Sequence, residues 1–420
     1  MEVKPGYKQT EVGVIPEEWD ADNLGRFWGV TDCKHVTAQF VPQGFPLASI
    51  REVQSRFVEL TNAKQTTAHF YNLLIEGGRK PRPGDLILSR NATVGEVAQV
   101  AEWHPPFAMG QDVCLLRKKS NEHSTEFLQS IFQSPVILKQ LADLMVGSTF
   151  KRANVQQIRN FAVPMPPPPE QRAIAEALSD VDGLLGGLDR LIAKKRDLKQ
   201  AAMQQLLTGQ TRLPGFHGEW RNTTLGQIIS RFSTGLNPRQ NFRLNSGGNF
   251  FYVTIKNFAV GQLFLDANCD LIDESAFWRI NERSDLRKDD VLFSSIGRVG
   301  DAYLITETPR NWNINESVFT LRPDKSQVVP LMLFYLLTDK TVTDALSQGV
   351  TGSTFKSIKQ AQLKAIPCQL PASLEEQTAV AEVLTEMDTE LAALTQRREK
   401  TRALKQAMMQ ELLTGKTRLI

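Results

Sequence analysis

Apolar residues recur along this chain in two rhythms, and each rhythm appears twice. Ile174, Val181, Leu188, Lys195 and Ala202 fall seven apart, flanked by Leu178, Leu185, Leu191, Leu198 and Leu206. That spacing predicts a long amphipathic helix with a coiled-coil stripe. In the same register stand Val380, Met387, Leu394, Thr401 and Met408, with Leu384, Leu391, Leu404 and Leu412 beside them. Gly209, followed by Pro214, closes the first stripe and Gly415 the second. The proline run MPPPPE at 165–170 continues neither a helix nor a ladder, so it predicts a stiff joint before the first helix. At about 1.5 Å per residue, the 34 residues 174–207 span on the order of 50 Å.

The other rhythm is short and β-branched. Runs at 47–53, 85–88 and 113–117 are bounded by Gly, Pro and Asn and predict strands, with counterparts at 252–258, 290–293 and 318–322. Helical spacing follows in LQSIFQSPVILKQLADL and LFYLLTDKTVTDALSQ. The expected fold class is α+β: two mixed blocks separated by two long helices.

The two sets of elements are one unit written twice at a period of about 205 residues. LKQAAMQQLLTGQTRL at 198–213 returns as LKQAMMQELLTGKTRL at 404–419, with 13 of 16 residues identical. GSTFK at 147–151 returns at 352–356, and GDLILSRNATVG from Gly84 aligns with DDVLFSSIGRVG from Asp289. FPLASIREV from Phe45 aligns with FFYVTIKNF from Phe250, FAMGQDVCLLR from Phe107 with WNINESVFTLR from Trp312, and EEWDADNLG with GEWRNTTLG. The helices agree closely, whereas the blocks agree mainly at apolar and turn positions. One scaffold then presents two different polar surfaces, which implies two different ligands.

The expected division is 1–166, 167–209, 210–370 and 371–420. A chain running block, helix, block, helix most simply pairs its helices antiparallel about a pseudo-twofold axis. Ile174, Val181, Leu188, Leu198, Val380, Met387, Leu394 and Leu404 are the expected contacts of that pair, and the same stripe is also expected to receive helices of partner subunits. Gly183, Gly186 and Gly187, aligned with Thr389, Ala392 and Ala393, predict a close crossing of backbones.

Composition adds less. A length of 420 residues with 41% hydrophobic content suits more than one domain. No apolar run reaches membrane length and the start lacks a signal core, so a cytoplasmic protein without a membrane role is expected. Cys33, Cys114, Cys269 and Cys368 lie far apart and read as reduced thiols. The net charge of +3 is distributed as +1 over 1–166, zero over 167–209, +3 over 210–370 and −1 over 371–420. This modest surplus in the two blocks fits DNA binding and fits a solvated mixed surface equally.

Catalytic signatures are missing. There is no GxGxxG, GxxxxGK, HExxH or Asn-Pro-Pro-aromatic motif. His35, His69, His104, His123 and His217 are isolated without metal-ligand spacing. The acidic segment ERSDLRKDD at 282–290 has no acidic counterpart in GGRKPRPGD and reads as a turn before a strand. Three readings stay open: a non-catalytic DNA-binding subunit, a free-standing DNA-modifying enzyme and a coiled-coil scaffold that binds proteins only.

At this point the chain resembles the specificity subunits of type I restriction-modification systems, over its whole length. The resemblance rests on YKQTEVGVIPEEW, on the GSTFK segments leading to MPPPPEQRAIAEAL and LPASLEEQTAVAEVL, on the paired LLTG-x-TRL helix ends, and on the duplicated layout. It implies two target recognition domains, each reading half of a bipartite double-stranded DNA site, and helices that act as a ruler across an unread gap. It also implies two methyltransferase and two restriction subunits as partners. S-adenosylmethionine, ATP and Mg are then expected on those partners, with no cofactor and no metal in this chain.

For DNA contacts, paired positions are the first candidates, because one scaffold meeting the same backbone twice places donors in corresponding places. Arg51 pairs with Lys256, and Lys151 with Lys356 in the GSTFK segments. GSTFK offers amides, hydroxyls and a cation to a phosphate, and it equally suits a turn anchoring the block to its helix. Unpaired cations are the candidates for base reading: Arg79, Lys80, Arg82 and Arg90 in the first block, Arg279, Arg283 and Arg298 in the second. Each also reads as a solvated charge.

Overall fold

The computed structural model describes residues 4–91, 95–145, 152–339, 342, 344 and 357–419. Two compact units form: Met1–Asp189 with Gln396–Ile420, and Arg190–Thr395. The expected blocks 1–166 and 210–370 fall one in each unit, while the segments 167–209 and 371–420 are divided between the units.

Each unit is built on the same four-stranded antiparallel sheet. In the first, the order is Trp28–Asp32, Val113–Lys118, Leu86–Ser89, Val97–Gln99; in the second it is Ile229–Thr234, Val318–Pro323, Val291–Ser294, Ala302–Leu304. A smaller sheet adds one parallel pair per unit, Phe45–Ala48 with Ala108–Met109 and Phe250–Val253 with Trp312–Ile314. The central strands are buried on both faces, which explains their unbroken apolar runs. One ion pair recurs under both sheets: Arg117 grips Asp85 at 2.9 and 2.6 Å, and Arg322 grips Asp290 at 2.8 and 2.9 Å.

Two sequence expectations change here. The runs 47–53 and 252–258 are strands only to Ala48 and Val253, after which the chain turns. Side-chain oxygens from Glu52 and Asn257 capture the main chain and end the ladder. The expected single helix over 128–144 is two, Thr125–Phe132 and Pro135–Met145, because Pro135 cannot donate into the preceding turn.

The long helices run Pro168–Leu207 and Leu374–Leu412. The prolines at 168 and 169 sit in the first turn, where a missing N–H costs nothing, so the helix starts inside the proline run rather than after it. Pairing is antiparallel within each unit. Asp182 meets Lys405 at 2.7 Å and Asp189 meets Arg398 at 3.3 Å in one; Lys199 meets Asp388 at 2.5 Å and Lys195 meets Glu390 at 2.6 Å in the other. Ile174, Ala175 and Leu178 pack with Met409, Leu412 and Leu413 into the first unit's core, and Val380, Ala381 and Leu384 join Leu206 and Leu207 in the second's.

Leu188 is buried, and Val181, Met387 and Leu394 are half-buried. Leu198 and Leu404, expected both in the seam and toward partner helices, are 47% and 56% exposed and so do not serve the seam. Their neighbours Lys199 and Lys405 face the opposite helix, and one residue of rotation, about 100°, turns each leucine outward. At Gly183 and Gly187 the expected close crossing is also absent: a methyl group added at either would meet no atom within 4 Å. Among the described residues, no helix is long and apolar enough to cross a membrane.

Candidate nucleic-acid interface

The duplicated strand ends lead into duplicated turns. In the first unit, the Ser49 amide donates to Glu52 Oε2 (2.8 Å), the Glu52 amide donates to the Ser49 carbonyl (3.1 Å), and the Glu59 amide donates to the Glu52 carbonyl (2.8 Å). In the second, Thr254 donates to Asn257 Oδ1 (2.9 Å), Asn257 to the Thr254 carbonyl (2.9 Å), and Phe264 to the Asn257 carbonyl (2.7 Å). Every atom pair maps onto its counterpart at an offset of 205 residues. Identities change from Ser, Arg and Glu to Thr, Lys and Asn, yet the bonding is retained. At the outer position of each turn stands a cation, Arg51 or Lys256, exposed and with no hydrogen bond or ion pair from its side chain among the described residues; the Lys256 amide donates to the Thr254 hydroxyl at 3.3 Å.

A second duplicated junction follows the central strand of each unit, and in the second unit it meets the turn through Arg298. The loop after the central strand closes with the Gly95 amide donating to the Ser89 carbonyl and Gly300 to the Ser294 carbonyl, both at 3.3 Å. Ala153 donates to the Arg90 carbonyl (3.0 Å) and Ile358 to the Ser295 carbonyl (2.9 Å). Bridges between Asn91 and Arg152, and between Ile296 and Ser357, fix the same junction. The GSTFK segments, with Lys151 and Lys356, lie outside the described residues.

The unpaired cations divide by environment. Arg90 is 2% exposed, its guanidinium 2.5 Å from Asp32 and 3.8 Å from the Cys33 sulfur. It is committed to the interior, which corrects the expectation of base reading. Arg79 spends its donors on the Asp32 and Glu76 carbonyls, both at 2.9 Å. Arg298 donates to the Ile255 and Phe258 carbonyls at 3.0 Å and pairs with Asp301 at 3.1 Å, bracing the turn that carries Lys256. Arg279 donates to the Asn241 carbonyl at 2.6 Å. Lys80, Arg82 and Arg283 are exposed, with only their main chain engaged among the described residues.

Asp32, Cys33 and His35 bring three potential ligand atoms within 4.8 Å of one another, a grouping that the wide spacing of the histidines did not suggest. Arg90 already supplies the positive charge there. Burial pushes the Cys33 thiol up, with Asp32 adding to it, so sulfur is a protonated neighbour rather than a thiolate. All four cysteines are free and buried, and burial lifts Cys368 to about 11.

Sequence reasoning missed the residues that join helices to blocks. Glu170, with no exposed surface, accepts from Arg418 at 2.5 and 2.8 Å and from Trp19 Nε1 at 2.8 Å. Its counterpart Glu376 accepts from Arg212 at 2.9 and 2.5 Å. Gln171 accepts from the Ser124 amide and donates to Pro166, and Gln377 accepts from Val329 and donates to Gln327 and Pro371. The signal was present in the repeated Glu-Gln and Thr-Arg-Leu, whose polar residues are retained while those of the blocks drift.

A family profile described as the type I restriction modification DNA specificity domain (Methylase_S) matches residues 66–192 and 217–402, well over half of the chain. The chain belongs to this family. Among similar proteins, one assigned as the type I restriction enzyme MjaX specificity subunit of Methanocaldococcus jannaschii is 25% identical across 98% of this chain and 97% of its own. The MjaVIII specificity subunit of the same organism is 24% identical over 96% and 94%, and the EcoBI specificity subunit of Escherichia coli 23% identical over 80% and 71%. Among solved structures, a chain from work on assembly and conformational transition of the type I R-M system matches with TM-score 0.60 at 20% identity, covering 96% of this chain and 99% of that one. The S subunit of a type I system from M. genitalium matches with TM-score 0.58 at 15% identity, covering 98% of each. This specificity subunit therefore shares the duplicated α+β fold of those chains.

Proposed function

We propose that this specificity subunit reads a bipartite, asymmetric double-stranded DNA target, one half per unit, and presents it to catalytic partners. The observation that carries this reading is the repeat itself: turn and loop bonds are retained at an offset of 205 residues while the exposed polar residues differ. Equal frames with unlike surfaces suit equal phosphate geometry with unlike base edges. Arg51 and Lys256 are the phosphate contacts, joined by Lys151 and Lys356, and Lys80, Arg82 and Arg283 are the cations left free to reach bases. The antiparallel helices set the length of the unread gap. Exposed Leu198 and Leu404 belong to the surface that receives methyltransferase subunits, two per complex, with two restriction subunits completing the nuclease. Methyl transfer and cleavage, with S-adenosylmethionine, ATP and Mg, then reside on those partners. A gel shift with the chain alone and with its methyltransferase subunit tests the reading. Specific retardation in the presence of the partner is expected, and a complex indifferent to DNA sequence overturns it.

A further inference from the structure

The two turns that carry Arg51 and Lys256 are more alike in bonding than in sequence, and the residues that impose the bonding are polar and buried. Glu52 and Asn257 are each 6% exposed. An apolar residue fills such a position at lower cost, since burying a polar group is unfavourable unless its bonds are all made. Each instead bonds to the amide three residues before it, through a side chain of different length in the two units, with Glu reaching Ser49 and Asn reaching Thr254. Asn257 also accepts from the Thr254 hydroxyl at 2.9 Å, and Arg298 ties the carbonyls on both sides of this turn. The tips themselves are left with an exposed cation.

We infer that Glu52 and Asn257, with Arg298 in the second unit, are positioning residues that hold Arg51 and Lys256 in place for DNA phosphates. The inference rests on the DNA-reading role proposed above. A cation on a fixed turn is already ordered before binding, so less conformational freedom is lost when the phosphate arrives. Counterion release is set by the number of phosphates neutralised, whereas ordering is not. Removing the cation and removing its support therefore have different salt signatures.

The test uses the full chain with its methyltransferase subunit and a duplex carrying the target, with affinity read by fluorescence anisotropy across a KCl series. Arg51→Ala and Lys256→Ala each lower the slope of log affinity against log salt by about 0.9. Glu52→Ala and Asn257→Ala each weaken binding about tenfold with the slope unchanged, through lost pre-organisation. Glu52→Gln, which keeps an acceptor oxygen, restores binding. In an Arg51→Ala background Glu52→Ala costs nothing further, because no cation remains to be placed; a merely structural turn loses the same affinity in both backgrounds. Should Glu52→Ala fail to fold, Asn257→Ala against Lys256→Ala supplies the same cycle. Folded variants with unchanged affinity, or strictly additive losses, overturn the inference. A wild-type complex that ignores DNA overturns the DNA-reading role itself.

Discussion

Arg418, two residues from the end of the chain, grips the buried carboxylate of Glu170 at both oxygens, across 248 positions of sequence. Arg212 does the same to Glu376 in the other unit. The end of each repeat is thus fastened to the start of the other repeat's helix, and neither repeat completes a unit by itself.

Truncation of Arg418 to Ala leaves Glu170, with no exposed surface, short of its cation. The expected loss of stability is on the order of 3 kcal/mol, measured by urea unfolding. Glu170→Gln in the same background recovers part of it by removing the uncompensated charge. An unchanged midpoint for Arg418→Ala removes the fastening role.

Gly183 and Gly187 lie in helix interior with open space where a methyl group would sit. Gly183→Ala and Gly187→Ala are each expected to stabilise the helix by about 1 kcal/mol. Destabilisation in thermal melts points to a close approach at that face in solution.

Leu198 and Leu404 are exposed on the long helices. Leu198→Glu and Leu404→Glu are expected to leave the melting temperature of the isolated chain within a few degrees and to weaken co-purification with the methyltransferase subunit. A strong drop in melting temperature instead places them in the chain's own helix seam.

Much of this was legible in the sequence, for identifiable reasons. A repeat with 13 of 16 residues matching needs no structure to be seen, and the strands at 86–89 and 291–294 announce themselves by unbroken β-branched and aliphatic runs. What escaped depends on partners distant in sequence. Arg90 is inward because Asp32 faces it, and nothing local marks that. Heptad spacing identifies a stripe without saying which edge a partner covers, so it does not separate seam leucines from the exposed Leu198 and Leu404. Ser49 and Glu52 ended a strand through a side-chain bond that a β-branched run conceals. Glu170 and Arg418 look like ordinary solvated charges until the fold brings them together.

Unlike polar surfaces on equal frames predict unlike half-sites. Replacing residues 1–165 by the corresponding domain of another family member is expected to change one half of the methylated target and leave the other. A simultaneous change of both halves contradicts one reader per unit.

The central claim is that this chain supplies a two-part DNA address whose spacing is set by its helices. A heptad inserted after both Leu198 and Leu404 preserves the stripe and adds about 10 Å of helix, or roughly three base pairs. Genome-wide mapping of methylated sites, with the methyltransferase subunit present, measures the result directly. The account predicts the same two half-sites with a longer gap. A folded, active variant that methylates the original target with its gap unaltered contradicts it.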